Sequence, residues 1–118
     1  MAYKKIVVLD FDGVLNPYEK GWEGADVISE EPVPGIKEEI EKIRQAGYSV
    51  IVVSSRCYQE GGIGAIQNWL HKHNIDVDGV THEKPPAFVT IDDRAICFRG
   101  KAEGLLEQIN EFTPWTKK

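Results

Sequence analysis

Asp10 and Asp12 stand one residue apart at the end of the apolar run Ile6, Val7, Val8 and Leu9. Such a run reads as a strand buried on both faces, the kind found in the middle of a parallel sheet. The two carboxylates then fall at the strand's C-terminal end, where open α/β sheets collect their ligands, and Gly13 supplies a permissive turn just beyond them. Paired acids in that position can divide nucleophilic and acid–base work between them. Three more polar positions occupy comparable places. Ser54 ends the run Val50, Ile51, Val52 and Val53, Lys84 precedes Pro85 and Pro86, and Asp92 with Asp93 end the run Phe88, Val89, Thr90 and Ile91.

In this order the residues resemble the four motifs of the haloacid dehalogenase superfamily of phosphohydrolases. The family's first motif is Asp-x-Asp after the first strand, and its second is a Ser or Thr after the second. Its third is a Lys, and its fourth an acidic pair after the fourth strand. The likeness spans residues 5–99, and Asp-x-Asp is its most specific part. Ser54, Ser55 and Arg56 together with Asp92, Asp93 and Arg94 are also similar to the phosphatase half of polynucleotide kinase-phosphatases.

The resemblance implies a Mg²⁺-dependent phosphomonoester hydrolase. Asp10 would attack phosphorus to give an aspartyl-phosphate. Asp12 would protonate the leaving oxygen and later activate water. Mg²⁺ would be held by Asp10, the Asp12 carbonyl and Asp92, with Asp93 a second ligand or a support acting through water. Ser54 would bind a phosphoryl oxygen, or Ser55 if the strand register slips by one. Lys84 would offset phosphoryl charge, Arg56 would contact the phosphate with a forked pair of hydrogen bonds, and the amides of Phe11, Asp12 and Gly13 would complete the cradle.

Around this chemistry the pattern alternates strand and helix. Ile36, Ile40 and Ile43 fall on one face of a helix that Gly47 stops, and a second strand runs over residues 48–53. A second helix from Gly62 to about His73 turns Ile63, Ile66, Trp69 and Leu70 inward. Short strands are expected over 78–81 and 88–92, with a fifth over 95–99, before a closing helix through Leu105, Leu106, Ile109 and Phe112. The expected architecture is a three-layer α/β/α Rossmann-like sandwich with a central parallel sheet and the first strand inside it. One domain accounts for all 118 residues, which leaves no room for a separate cap domain. Residues 16–34 are longer than an ordinary strand-to-helix loop and read as a flap carrying Tyr18 and Trp22, either packed against the body or stacking on a substrate ring.

Composition bounds the partners. A formal charge of −5 argues against broad nonspecific nucleic-acid binding but leaves room for a local phosphate site. No apolar stretch approaches a membrane span and residues 1–5 carry no secretory core, so the expected compartment is the cytoplasm. Cys57 and Cys97 lack metal-ligand spacing and read as free thiols. By resemblance, capless members take bulky substrates such as nucleic-acid ends, or borrow a lid from another subunit of a homo-oligomer; small phosphate esters fit if the flap closes. Two other readings use the same residue types. A phosphoacceptor receiver carries its acidic pair after the first strand and its Lys after the last, the reverse of the order here. A silent phosphate-binding module would have no need of Asp12.

Overall fold

The computed structural model describes residues 4–117. Part of the N-terminal stretch read above for a secretory core therefore lies outside the described residues. Four strands, β1 (Ile6–Asp10), β2 (Ser49–Val53), β3 (Gly79–Thr81) and β4 (Val89–Ile91), form one parallel sheet in the order β3-β2-β1-β4. Helices α1 (Ile36–Gln45) and α2 (Gly62–Lys72) separate the first three strands, and α3 (Leu105–Glu111) follows the fourth. This is a Rossmann-like α/β fold with β1 inside the sheet, between β2 and β4.

The apolar runs form strands because both faces of β1 find cover: Val7, Val8 and Leu9 are all buried. Val7 pairs with Val50 and Leu9 with Val52, so these four side chains share a face. That face meets Ile40 of α1 and Ile66, Trp69 and Leu70 of α2. Burying an aliphatic side chain as fully as Ile40 contributes roughly 1.5–3 kcal/mol. Phe11 joins the same core, edge-to-face on Trp69 at a centroid distance of 5.1 Å.

Residues 16–34 form turns and irregular chain, and are pinned from below. The Trp69 indole donates to the Glu30 carbonyl (2.9 Å), and the Val33 amide donates to the Leu15 carbonyl (2.8 Å). The flap is thus part of the body at both ends.

Three expectations fail in detail. Ile63 is exposed although its spacing puts it at the edge of the stripe formed by Ile66, Trp69 and Leu70, because it lies in the first turn of α2, at the end of the buried stretch. Residues 95–99 form no strand. In α3, Leu106 and Ile109 face solvent, since this helix does not cover the sheet as α1 and α2 do. Among the described residues, no helix is long and apolar enough to cross a membrane.

Candidate functional site

Parallel register brings the motif residues together. Asp10 is the last residue of β1 and pairs with Val53, so Ser54 emerges beside it; Leu9 pairs with Ile91, so Asp92 emerges on the other side. The three strand ends enclose a cavity of about 250 Å³ lined by Asp10, Asp12, Tyr18, Trp22, Ser54, Ser55, Asp92, Asp93 and Arg94. Carboxylate oxygens of Asp10, Asp92 and Asp93 all lie within 4.8 Å of one another.

That crowding has an electrostatic cost. Burial, then a hydrogen bond to Asp93 and the charges of Asp92, Asp93 and Asp12, push the Asp10 carboxyl up to about 8. The donor set, all hard carboxylate oxygen with excess negative charge, fits a divalent cation such as Mg²⁺.

Asp12 is held differently. Its Oδ2 accepts from Arg56 Nε (2.8 Å), and its Oδ1 accepts from Arg56 Nη2 (3.1 Å) and Asn16 Nδ2 (2.9 Å). The Asp12 carboxylate therefore stands apart from the cluster of Asp10, Asp92 and Asp93, and its orientation is fixed from behind.

Arg56 corrects the expectation that it contacts substrate phosphate. Its side chain is 1% exposed, and Nη1 donates to the carbonyls of Gly24, Ala25 and Val27 while Nε and Nη2 hold Asp12. A guanidinium buried in this way satisfies the flap's carbonyls and leaves the cavity wall to others. Lys84 also departs from expectation. It is exposed on the loop between β3 and β4 and does not line the cavity. Arg94 is the cation that does, and the Arg94 amide donates to Asp92 Oδ1 (2.9 Å), closing a tight turn after β4.

The turn after β1 is only partly free. The Gly13 amide donates to the Asn16 carbonyl (2.7 Å), so it is not a phosphate donor as expected, and the Phe11 side chain belongs to the core. Gly13 has φ +90°, and a Cβ there would run into the Asp93 carboxylate. Glycine is required twice over, for its backbone angle and for the closeness of Asp93. Ser54 Oγ accepts from the Arg56 amide (3.1 Å), which caps a short 3-10 turn, Ser55–Tyr58, and leaves the hydroxyl proton to donate into the cavity. Ser55 lines the same wall but is exposed.

Two participants escaped the sequence reading. Asn16 is buried behind Asp12, and Trp115 Nε1 donates to the Gly13 carbonyl (2.7 Å) from the far end of the chain. An Asn closing a short turn offers only a weak signal, and the Trp115 contact offers none. Burial pushes the Cys57 thiol up, which favours the neutral form and a structural role.

No protein-family model matches the chain, and no curated protein matches it. Solved structures do. A conserved protein coded by a locus from Bacteroides thetaiotaomicron superposes with a TM-score of 0.59 at 21% identity, over 98% of this chain and 97% of that one. A chain of the Pnkp1/Rnl/Hen1 complex superposes with a TM-score of 0.57 at 17% identity, over 98% of this chain and 37% of that one. These likenesses establish the fold. At such identities the site residues stand on their own geometry.

Proposed function

We propose that this protein is a phosphomonoester hydrolase of the haloacid dehalogenase type, working through an aspartyl-phosphate on Asp10. The observation that carries the proposal is the meeting of Asp10, Asp92 and Asp93 at the ends of the two adjacent parallel strands β1 and β4, beside an Asp12 locked in place by Arg56. Asp10, Asp92 and Asp93 would hold Mg²⁺, which supplies the positive charge that lets these carboxylates ionise together and offsets charge on a phosphoryl group.

The chain's residues divide the remaining work. An Asp10 oxygen forms a bond to phosphorus as the ester P–O bond breaks, and the leaving oxygen takes a proton from Asp12. Asp12 then removes a proton from water as the water oxygen attacks the aspartyl-phosphate, returning Asp10 and releasing inorganic phosphate. Ser54 donates its hydroxyl to a phosphoryl oxygen. Arg94 takes the charge-offsetting place that the sequence reading gave to Lys84.

A second observation favours the bulky-substrate reading, a phosphorylated nucleic-acid end. Trp22 is 50% exposed at the cavity wall, with the Arg56 guanidinium 4.8 Å from its ring centre. A ring fixed by a buried cation is a ready stacking surface, and stacking a base on an aromatic side chain is worth about 1–3 kcal/mol.

The test is phosphate release from a generic aryl phosphate by the wild type, Asp10→Asn and Asp12→Asn, each with Mg²⁺ and with chelator. Activity that requires Mg²⁺ and disappears in both variants supports the proposal. A wild type inactive on aryl, sugar and 3′-phosphorylated oligonucleotide substrates alike would contradict it, leaving the phosphate-binding module.

A further inference from the structure

We propose that Trp115 is a positioning residue for the acidic cluster, setting through the Gly13 carbonyl the place that Asp93 takes at a cation. The proposal rests on the reading of Asp93 as a Mg²⁺ ligand and on no later step of the reaction.

Gly13 is the least restrained point of the turn after β1. It has φ +90° and no side chain, so its own sterics do little to fix its angles. The peptide groups on either side of it must be held by hydrogen bonds. The first is held within the turn, where the Gly13 amide donates to the Asn16 carbonyl (2.7 Å). The second joins Gly13 to Val14, and its hold inside the turn is weak. The Val14 amide reaches the Phe11 carbonyl at 3.3 Å, and the Leu15 and Asn16 amides already occupy that oxygen at 3.0 Å each. The carbonyl of the same peptide group accepts the Trp115 indole N–H at 2.7 Å. The shorter bond on this group therefore comes from the far end of the chain.

Asp93 packs directly on Gly13. A Cβ built there would overlap its carboxylate, so only the absence of a side chain lets the acid and the turn approach so closely. A shift of Gly13 is thus passed to Asp93, whose carboxylate oxygen lies within 4.8 Å of those of Asp10 and Asp92. Trp115 itself does not line the cavity. It acts on the cluster through Gly13.

The indole has no competing task in joining the chain end to the body by several bonds. Trp115 opens a 3-10 turn, Trp115–Lys117, in which the Lys117 amide donates to the Pro114 carbonyl (3.0 Å). Among the described residues, no other hydrogen bond and no ion pair links residues 95–117 to the rest of the chain. The single polar tie of this segment falls on the peptide group beside the acids.

Calorimetric titration of the full chain with magnesium chloride tests the proposal. Trp115→Phe keeps a ring at a position that is 41% exposed and removes the donor, so the fold is retained. Its Mg²⁺ affinity is expected to fall about fivefold, the ratio that corresponds to the net worth of one hydrogen bond, about 1 kcal/mol. A merely structural fastening would lower the unfolding midpoint and leave that affinity alone. A second measurement uses the wild type only. Coupling between the indole bond and the cation is reciprocal, so saturating Mg²⁺ slows solvent exchange of the Trp115 indole proton by the same factor, about fivefold, as read by NMR. Equal affinity in the wild type and Trp115→Phe, or an exchange rate that Mg²⁺ leaves unchanged, overturns the proposal while Asp93 stays a ligand. A wild type that binds no Mg²⁺ removes the cation reading and this proposal with it.

Discussion

Arg56 grips Asp12 through two parallel hydrogen bonds, at 2.8 and 3.1 Å, while its remaining nitrogen gathers three flap carbonyls. One buried side chain therefore positions Asp12 and anchors the flap. Arg56→Lys keeps the charge but loses the fork, leaving carbonyls of Gly24, Ala25 and Val27 underpaired. Breaking a buried pair of this kind costs about 3 kcal/mol. The expected outcome is that loss in urea unfolding, with a larger fall in kcat than in KM for a phosphate ester. A variant with wild-type stability would refute the anchoring role.

Gly13 separates the turn from Asp93. Gly13→Ala forces a side chain into φ +90° and against the Asp93 carboxylate, and a strained angle of this kind alone costs about 1–3 kcal/mol. The expected result is a lower unfolding midpoint together with weaker Mg²⁺ binding by calorimetry, because Asp93 must move. Loss of stability with unchanged cation affinity would remove Asp93 from the metal group.

Much of this arrangement was legible because chemistry follows pattern at strand ends. Asp10, Ser54 and Asp92 each end an apolar run, and parallel register does the rest. Lys84 has no such anchor: it lies on a loop whose path no periodicity dictates, and it lands outside the cavity. Arg56 shows its charge in the sequence but not its burial, which depends on carbonyls about thirty residues earlier. The inward face assigned to α3 failed for a related reason. Its apolar spacing defines a face but not that the sheet covers it.

Asp78 ties α1 to β2, and the tie is pH-dependent. Its carboxylate accepts from Arg44 Nη2 (3.0 Å) and from the Val50 amide (2.7 Å), and these hydrogen bonds hold its carboxyl below the ordinary 3.8. A depressed carboxyl contributes stability that is present above its unfolded value and lost as pH falls through its folded value. Asp78→Asn should therefore cost less than about 1 kcal/mol at pH 7, since the pair is open to solvent, and the gap between variant and wild type should close below pH 4. A gap that persists at pH 2.5 would contradict this assignment.

Repulsion among Asp10, Asp92 and Asp93 predicts a response to cations. Mg²⁺ should raise the melting temperature, with a shift that grows as the logarithm of its concentration above Kd. Asp92→Asn or Asp93→Asn should raise the melting temperature of the metal-free protein, by relieving like charge, and shrink the Mg²⁺ shift. An equal Mg²⁺ shift in wild type and both variants would place the cation elsewhere.

The central claim is that Asp10 becomes covalently phosphorylated. Borohydride reduction during turnover of a phosphate ester with Mg²⁺ converts an aspartyl-phosphate to homoserine, which peptide mass spectrometry reads at a single position. The account predicts homoserine at position 10 in the wild type, with none when Mg²⁺ is chelated. Turnover without modification at position 10, or modification at Asp12 in its place, would contradict it.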